Sequence, residues 1–276
     1  MQPPLTIKGQ QQAKLTGQAL ANLTINAAYC SPLVRANQTA NLILENRSID
    51  LEIYENLREI NLPLWEGMTF AEVRSQYPEQ YDNWHHAPDR LMMSMPKGKL
   101  EGKDFYPVID LFEQAQKVWI EILPKHQGQT ILLVAHSGIN RALIASALGI
   151  DPSRYHYLHQ SNCGISILNF KQEDLDRESK YTAQLESLNL TSHLEAITGD
   201  ILPPTKKDRA GIRLLLVRHG ETDWNRDKRF QGQIDIPLNP MGEIQAQKAE
   251  EFLSKVKIDL AFSSSMLRPK QTAEII

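Results

Sequence analysis

The sequence contains few cysteines and no long apolar segment. Its two cysteines, Cys30 and Cys163 in 276 residues, give neither a disulfide framework nor the spacing of a metal site. No apolar run approaches the length that spans a bilayer, and the N-terminal MQPPLTIKGQQQ lacks the charged-then-apolar pattern of a signal peptide. These absences argue against a disulfide-stapled secreted domain and a membrane protein, and they predict a cytoplasmic protein.

The sequence also lacks a strong charge imbalance. The formal net charge is -3 without long blocks of one sign, which gives no footprint for nucleic acid or an anionic membrane. A small anionic substrate and a homo-oligomer are both compatible with this charge. With 41% hydrophobic and 23% charged residues, the chain is typical of a globular protein with a substantial core in one large domain or two.

A repeated stretch organises the chain. PLTIKGQQQA near the N-terminus aligns with PLNPMGEIQA near the C-terminus, and each matched pair is separated by the same 233 positions that separate Arg35 from Arg268. The identical pairs are Leu5 with Leu238, Gly9 with Gly242, Gln12 with Gln245, Ala13 with Ala246, Ser31 with Ser264, Gln38 with Gln271, Thr39 with Thr272 and Ala40 with Ala273. This spacing indicates a duplicated domain rather than a short-period solenoid.

The strongest chemical signal is LLLVRHGETDWN, residues 214–225. An apolar run followed by Arg218, His219 and Gly220 predicts a buried strand that ends at the edge of a sheet. A neutral histidine can attack phosphorus and can later leave from the phosphohistidine. Arg218 can bind phosphate oxygens, and its charge favours the neutral imidazole. Gly220 leaves room for a bound phosphate. A solvated Arg-His pair at a strand end is the alternative for so short a motif.

Three residues of the first copy could complement that histidine. Arg35 lies in the first turn of a predicted helix after the predicted strand 27–30, where a solvated arginine is the alternative. Glu59 has apolar neighbours, which favour a carboxyl that keeps its proton, and an exposed loop glutamate is the alternative. His136 ends an apolar strand where a predicted helix begins at Ser137, so that its amides converge with the histidine.

The order of elements predicts an α/β fold. Apolar strands alternate with helices, among them an amphipathic helix at 106–124, which predicts a three-layer α/β/α domain with a mostly parallel sheet. The site is expected at the carboxyl ends of the strands. Residues 70–103 are irregular and predict a mobile cap, in which the adjacent His85 and His86 point in different directions and do not suggest a metal site.

RHGETDWN after an apolar strand, followed by FQGQIDIPLNPMGEIQA, resembles the phosphoglycerate mutase-like histidine phosphatases. The resemblance covers nearly the whole chain apart from the linker and the cap, and it implies the phosphoglycerate mutase-like fold. It also implies that His219 is the phosphorylated nucleophile, that Glu59 is the proton donor, and that His136 stabilises the transition state. The implied substrate-binding residues are Arg218, Arg35, Asn225 and Arg268.

The domain organisation follows from the repeat and the resemblance together. We expect a first phosphoglycerate mutase-like domain at 1–195 that lacks its N-terminal Arg-His-Gly strand. A linker at 196–211 and the N-terminal part of a second such domain at 212–276 complete the chain, so both copies are truncated. Because His219 belongs to the second copy, we hypothesise that the strand 213–217 fills the vacant place in the first copy's sheet.

The activity implied by the resemblance is hydrolysis of a small phosphorylated metabolite through a phosphohistidine. No cofactor or metal is expected, because arginines and histidines supply the positive charge. One alternative is a phosphoglycerate mutase, which is disfavoured because KGKLEGKDF stands where many relatives carry Gly-Glu-Ser. Another is a non-catalytic phosphometabolite-binding fragment, which the truncation of both copies favours.

Overall fold

The structure, a computed structural model, describes residues 3–94, 103–171, 181–203 and 211–276. The chain divides into two units, which we call unit 1, Met1–Pro203, and unit 2, Pro204–Ile276. Most of KGKLEGKDF lies outside the described residues. No helix in the described ranges is both long enough and apolar enough to cross a membrane.

Unit 1 contains seven strands and seven α-helices within its described residues. The strands are β1 Ala27–Cys30, β2 Leu51–Ile53, β3 Met93–Ser94, β4 Asp104–Phe105, β5 Ile131–Val134, β6 Ile165–Phe170 and β7 Ala183–Leu190. The helices are α1 Ile7–Ala19, α2 Val34–Ile43, α3 Phe70–Gln76, α4 Pro78–His86, α5 Pro107–Ile122, α6 Ser137–Leu148 and α7 Glu195–Thr198. The helix α7 occupies the beginning of the segment predicted as a linker.

The central sheet of unit 1 is parallel, with the strand order β2-β1-β5. Strands β6 and β7 form a separate antiparallel pair, and β3 pairs with β4. Because side chains alternate along a strand, Tyr29 packs into the cluster built by α5 and α6, whereas Cys30 packs on the other face with Ala40 and Ile43 of α2. Helices therefore cover both faces of the sheet, and the predicted three-layer α/β/α fold is confirmed.

The predicted amphipathic helix is present as α5. Its buried side chains follow helical spacing and form the largest part of the core: Val108, Leu111, Phe112, Ala115, Val118, Trp119 and Ile122. Pro107 is the first residue of α5. The amide at this position has no partner within the helix, so the missing N–H of proline costs no hydrogen bond. Helix α5 packs on α6, and His136 immediately precedes α6.

The cap was predicted as irregular, and this prediction is wrong for the described part of it. Helix α3 begins at a capping box in which Thr69 and Glu72 satisfy each other's backbone amides. Helix α4 follows directly, with Pro78 at its start. Both start signals are local, and they outweigh the high content of polar and charged residues in this region.

Unit 2 contains three helices in its described residues, α8 Asp223–Arg226, α9 Pro240–Leu253 and α10 Leu267–Ile275. The prediction of a buried strand at 213–217 is wrong here, because these residues form no strand and are largely exposed. Leu214 is 72% exposed and Leu216 is 86% exposed. A single strand cannot satisfy its backbone groups, so the apolar pattern does not produce a strand without a partner edge.

The repeated segments form the same hydrogen bonds in both units. Leu5 N donates to Gln38 Oε1 at 2.8 Å, and its counterpart Leu238 N donates to Gln271 Oε1 at 2.8 Å. The Thr39 hydroxyl donates to the carbonyl of Arg35, as the hydroxyl of its counterpart Thr272 donates to the carbonyl of Arg268. Helices α1 and α2 are therefore arranged as α9 and α10 are.

The replacement Gly242→Ala is expected to destabilise unit 2. A Cβ on Gly242 would lie 2.1 Å from the backbone oxygen of Glu221, so the backbone must shift. We expect the free energy of unfolding to fall by about 1–3 kcal/mol, measured by urea denaturation.

The repeat supplies the matched control, Gly9→Ala. A Cβ on Gly9 would approach a flexible carbon of Leu5 at 3.3 Å, and alanine is the better residue within a helix. The control is expected to leave the free energy of unfolding unchanged or raise it by about 0.5–1 kcal/mol. Equal destabilisation by both replacements would contradict the packing described for unit 2.

Candidate functional site

The carboxyl ends of β1 and β5 place two polar side chains together in unit 1. Ser31 follows β1 and is 0% exposed, and His136 lies two residues beyond β5 and is 7% exposed. The His136 Nε2 and the Ser31 hydroxyl oxygen are 2.7 Å apart. Burial, followed by the positive charge of Arg35, lowers the pKa of His136 to about 4. The imidazole is therefore neutral at physiological pH.

Arg35 lies in the first turn of α2, beside this histidine. Its guanidinium is half-buried, and it forms no ion pair with an acidic side chain of the described residues. A partly buried arginine without an acidic partner, next to a neutral histidine, favours the binding of an anion. This arrangement is compatible with the predicted phosphate-binding role of Arg35.

We expect His136 to make unit 1 less stable in acid. An unfolded histidine takes a proton below its ordinary pKa of 6.5, whereas folded His136 resists protonation down to about 4. The unfolded state therefore binds more protons in this window, and stability is lost as the pH falls from about 6.5 to about 4. The loss is of the order of 2 kcal/mol, measured by urea unfolding at about pH 7 and about pH 4.5.

In the variant His136→Gln, the free energy of unfolding should fall by about 2 kcal/mol less between about pH 7 and about pH 4.5 than it does in the wild type. His193→Gln is a useful comparison, because burial also lowers the pKa of His193 in the same unit. An unchanged pH slope in His136→Gln would show that His136 is not held neutral by the fold.

Glu59 is held at the N-terminus of α6. Its Oε2 accepts a hydrogen bond from Gly138 N at 3.1 Å, and its Oε1 accepts from Ile139 N at 3.1 Å and from Ile60 N at 2.9 Å. The carboxyl group is thus fixed close to His136, which precedes the same helix. Arg35, Glu59 and His136 all lie in unit 1, where Glu59 bonds to the first amides of α6 and His136 immediately precedes that helix.

Gly138 and Tyr155 complete this corner of the site. A Cβ on Gly138 would lie 2.3 Å from Glu59 Oε1 and 2.7 Å from the Tyr155 hydroxyl oxygen, so only glycine leaves room for both groups. Tyr155 is 1% exposed, and its pKa is raised by burial first and by Glu59 second. The sequence reasoning missed Ser31 and Tyr155. Only Ser31 carried a signal, because it is one of the repeated residues.

The cap contributes an apolar cavity of about 380 Å³ in unit 1. Aromatic side chains form much of its lining, among them Trp65, Phe70 and Trp84. The indole nitrogen of Trp65 is buried and has no hydrogen-bond partner among the described residues. Trp84 also contacts the ring of Tyr155, with ring centroids 5.5 Å apart.

His219 is oriented within unit 2 by two hydrogen bonds. Its Nδ1 donates to the carbonyl of Gly220 at 2.7 Å, and its Nε2 accepts from Arg268 Nε at 3.2 Å. This is the neutral ring with the lone pair on Nε2. Arg268 is 7% exposed, and it also donates to the backbone oxygens of Gly232 and Ile234 at 2.9 Å each.

The remaining predicted site residues of unit 2 are placed differently. Arg218 is exposed, next to His219. The Asn225 side chain accepts hydrogen bonds from the amide and the hydroxyl of Thr222, the N-cap of α8, and so completes a capping box. Unit 2 therefore brings His219 and Arg268 together and gives Asn225 a structural contact. Its role in substrate binding stays a prediction.

The fold and these two clusters define the class of protein. The profile of the histidine phosphatase superfamily (branch 1) matches residues 1–180 and 214–276, and the chain belongs to this family of enzymes. Within the described residues, no group of three or more His, Cys, Asp or Glu side chains could hold a metal ion.

Two of the similar proteins are named as phosphatases. The chain is 32% identical to 2-carboxy-D-arabinitol-1-phosphatase of wheat (Triticum aestivum) over 272 residues, which is 99% of this chain and 52% of that protein. It is 26% identical to phosphoserine phosphatase 1 of Hydrogenobacter thermophilus over 194 residues, 70% of this chain and 84% of that protein. The chain thus spans about half the length of the wheat enzyme.

Solved structures share the fold. YhfR of Bacillus stearothermophilus superimposes with a TM-score of 0.58 at 27% identity, covering 70% of this chain and 87% of YhfR. Phosphoserine phosphatase of Entamoeba histolytica in complex with phosphoserine gives a TM-score of 0.56 at 24% identity, covering 70% of this chain and 88% of that one.

Proposed function

We propose that this chain is a phosphomonoester hydrolase that transfers the phosphoryl group to His219 and then to water. The observation that carries the proposal is the orientation of His219, whose unprotonated Nε2 faces the buried Arg268. A neutral imidazole is the nucleophilic form of histidine, and its Nε2 lone pair attacks phosphorus once the Arg268 Nε–H turns from Nε2 to the phosphate. The guanidinium beside it can bind the oxygens of the phosphate that this nitrogen attacks.

The other roles follow from the chemistry of each group. In the first step His219 Nε2 forms a bond to phosphorus, the phosphorus–oxygen bond of the ester breaks, and Glu59 gives its proton to the leaving oxygen. In the second step water attacks the phosphohistidine while Glu59 accepts the proton, and inorganic phosphate leaves. Arg218, Arg35 and His136 stabilise the negative charge on the phosphoryl oxygens throughout.

We infer a small phosphorylated metabolite as the substrate. The cavity of the cap has aromatic walls, which suit a compact organic group. The phosphoserine of the Entamoeba complex is a ligand of this size. The two cysteines and the absence of an apolar spanning segment favour the cytoplasm as the site of action.

We also infer that the two units descend from one duplicated domain. The matching hydrogen bonds of α1–α2 and α9–α10 support this, as does the single separation of 233 positions between repeated residues.

Incubation with 3-phosphoglycerate tests the proposed reaction against its alternatives. We expect release of inorganic phosphate, because water is the acceptor of the phosphoryl group in the proposed second step. Formation of 2-phosphoglycerate without phosphate release would identify a mutase. Binding without any turnover of this or an aryl phosphate would identify a non-catalytic module.

A further inference from the structure

Ser31 is fully buried between the end of β1 and the start of α2, and its side chain forms two contacts. Its hydroxyl oxygen accepts a hydrogen bond from Leu33 N at 3.3 Å, and it lies 2.7 Å from His136 Nε2. The first contact closes a local turn. The second contact joins the ends of two strands, between residues that are 105 positions apart in sequence.

The repeat separates the roles of these two contacts. Ser264, the counterpart of Ser31 in unit 2, accepts the same turn bond from Met266 N at 3.4 Å. Ser264 is exposed, and within the described part of unit 2 it forms no hydrogen bond to a histidine. The turn therefore accounts for a serine at both positions, but it does not account for the contact between Ser31 and His136.

The donor in the contact between Ser31 and His136 follows from the hydrogens that each group has. A serine hydroxyl has one hydrogen to donate and two lone pairs that can accept. Leu33 N uses one lone pair, and His136 Nε2 is the only acceptor that the hydroxyl reaches within the described residues. A buried hydroxyl hydrogen without an acceptor would cost about 1–3 kcal/mol. Ser31 therefore donates to Nε2, and Nε2 carries no proton.

The single proton of the imidazole then lies on Nδ1. Burial and, second, the charge of Arg35 lower the pKa of His136 to about 4, so the ring is neutral at physiological pH and has one N–H. Nδ1 points away from Nε2 and has no hydrogen-bond partner in the described ranges. The guanidinium of Arg35 acts on the same ring and has no acidic partner among those residues. A free N–H beside a guanidinium favours the binding of an anion.

We propose that Ser31 is a positioning residue that holds His136 in the tautomer with its proton on Nδ1, so that this N–H donates to an oxygen of the bound phosphoryl group. Without the serine, the neutral ring would be divided between two tautomers, and one of them would turn a lone pair toward the anion. Ser31 acts through His136 and does not contact the phosphoryl group. The inference rests on the proposed function for the group that is bound, whereas the tautomer of the free protein does not depend on that function.

Long-range ¹H–¹⁵N correlation spectra of the full chain with labelled histidine test the tautomer at about pH 7. The signals of His136 are those that the variant His136→Gln lacks. In the wild type we expect a protonated Nδ1 and an unprotonated Nε2. Ser31→Ala should shift both signals toward a mixture of tautomers, and Ser31→Thr, which keeps a hydroxyl, should retain the wild-type pattern. A wild-type His136 with its proton on Nε2, or an unchanged pattern in Ser31→Ala, would overturn the proposal.

Ser264→Ala is the matched control for these spectra. It removes the equivalent turn bond from unit 2 and leaves the contact between Ser31 and His136 in place. Its His136 signals should equal those of the wild type. A change of tautomer in Ser264→Ala as large as that in Ser31→Ala would overturn the assignment of the effect to the Ser31 hydroxyl.

Titration with inorganic phosphate tests what the tautomer does. In the wild type we expect the Nδ1 signal of His136 to move as phosphate binds. In Ser31→Ala the Kd for phosphate should rise by about three- to tenfold, because phosphate binds only the fraction of molecules that have the proton on Nδ1. Equal Kd values in the two proteins, or a Nδ1 signal that does not respond to phosphate, would overturn the positioning role.

Phosphate release from an aryl phosphate separates this inference from the proposed function. If the wild type shows the expected tautomer and binds phosphate but releases none from the ester, only the proposed function fails. If the wild type is active, we expect Ser31→Ala to lower kcat/KM by about three- to tenfold, since fewer molecules have the donor in place. Full activity in Ser31→Ala, together with a changed tautomer, would overturn the inference and leave the proposed function intact.

Discussion

Replacing His219 with alanine is expected to lower kcat/KM for an aryl phosphate by about 10³-fold or more. In the proposed mechanism the alanine removes the group that carries the phosphoryl intermediate, whereas binding by the arginines remains. The loss should therefore appear in kcat, with little change in KM. Steady-state phosphate release measures both constants.

His85→Ala is the matched control for this replacement. His85 is exposed on α4 and bonds to the carbonyl of Tyr81, and it takes no part in the hydrogen bonds described for Glu59, His136 or His219. Its kcat/KM should stay within about threefold of wild type. Comparable activity in His219→Ala and wild type would contradict the assignment of the nucleophile.

Replacing Glu59 with glutamine should have an effect that depends on the leaving group. An alkyl phosphate expels a basic alkoxide that needs a proton in the transition state, so kcat/KM should fall by about 10²–10³-fold. A nitrophenyl phosphate expels a stable phenolate, and the loss should be about tenfold or less. The ratio of the two losses is the measurement. Equal losses for both substrates would show that Glu59 only supports the structure.

Gly138→Ala tests the position of Glu59 without changing its chemistry. The new methyl group would overlap the space of Glu59 Oε1 and displace the carboxyl group. We expect the same dependence on the leaving group as for Glu59→Gln, since a displaced acid cannot reach the leaving oxygen. The control is Ser146→Ala, on the same helix but bonded to Trp119 instead.

The elements of unit 1 could be predicted because their signals are local. The apolar stripe of α5 and the apolar run of β5 each identify their element, and both are confirmed. The convergence of Arg35 and His136 follows from parallel strands that end at one edge. The amides that hold Glu59 could not be predicted, because Gly138 is 79 residues away in sequence.

Two local predictions failed for different physical reasons. The cap has helix start signals at Thr69 and Pro78. The prediction gave more weight to the polar and charged composition of the segment than to these signals. The apolar pattern of 213–217 indicates a segment that forms a strand when it pairs with a sheet edge. The pattern does not indicate whether such an edge is available. The repeat could be recognised from the sequence, because both copies contain the same residues at the positions that hold the helix pairs together.

Trapping the phosphorylated enzyme tests the central claim most directly. Wild-type chain is mixed with an aryl phosphate, quenched within milliseconds in alkaline denaturant, where phosphohistidine survives, and digested for mass spectrometry. We predict one phosphorylated peptide with the phosphoryl group on His219, absent from the His219→Ala variant. Turnover that proceeds with no phosphopeptide, or with the phosphoryl group on another residue, would contradict the account.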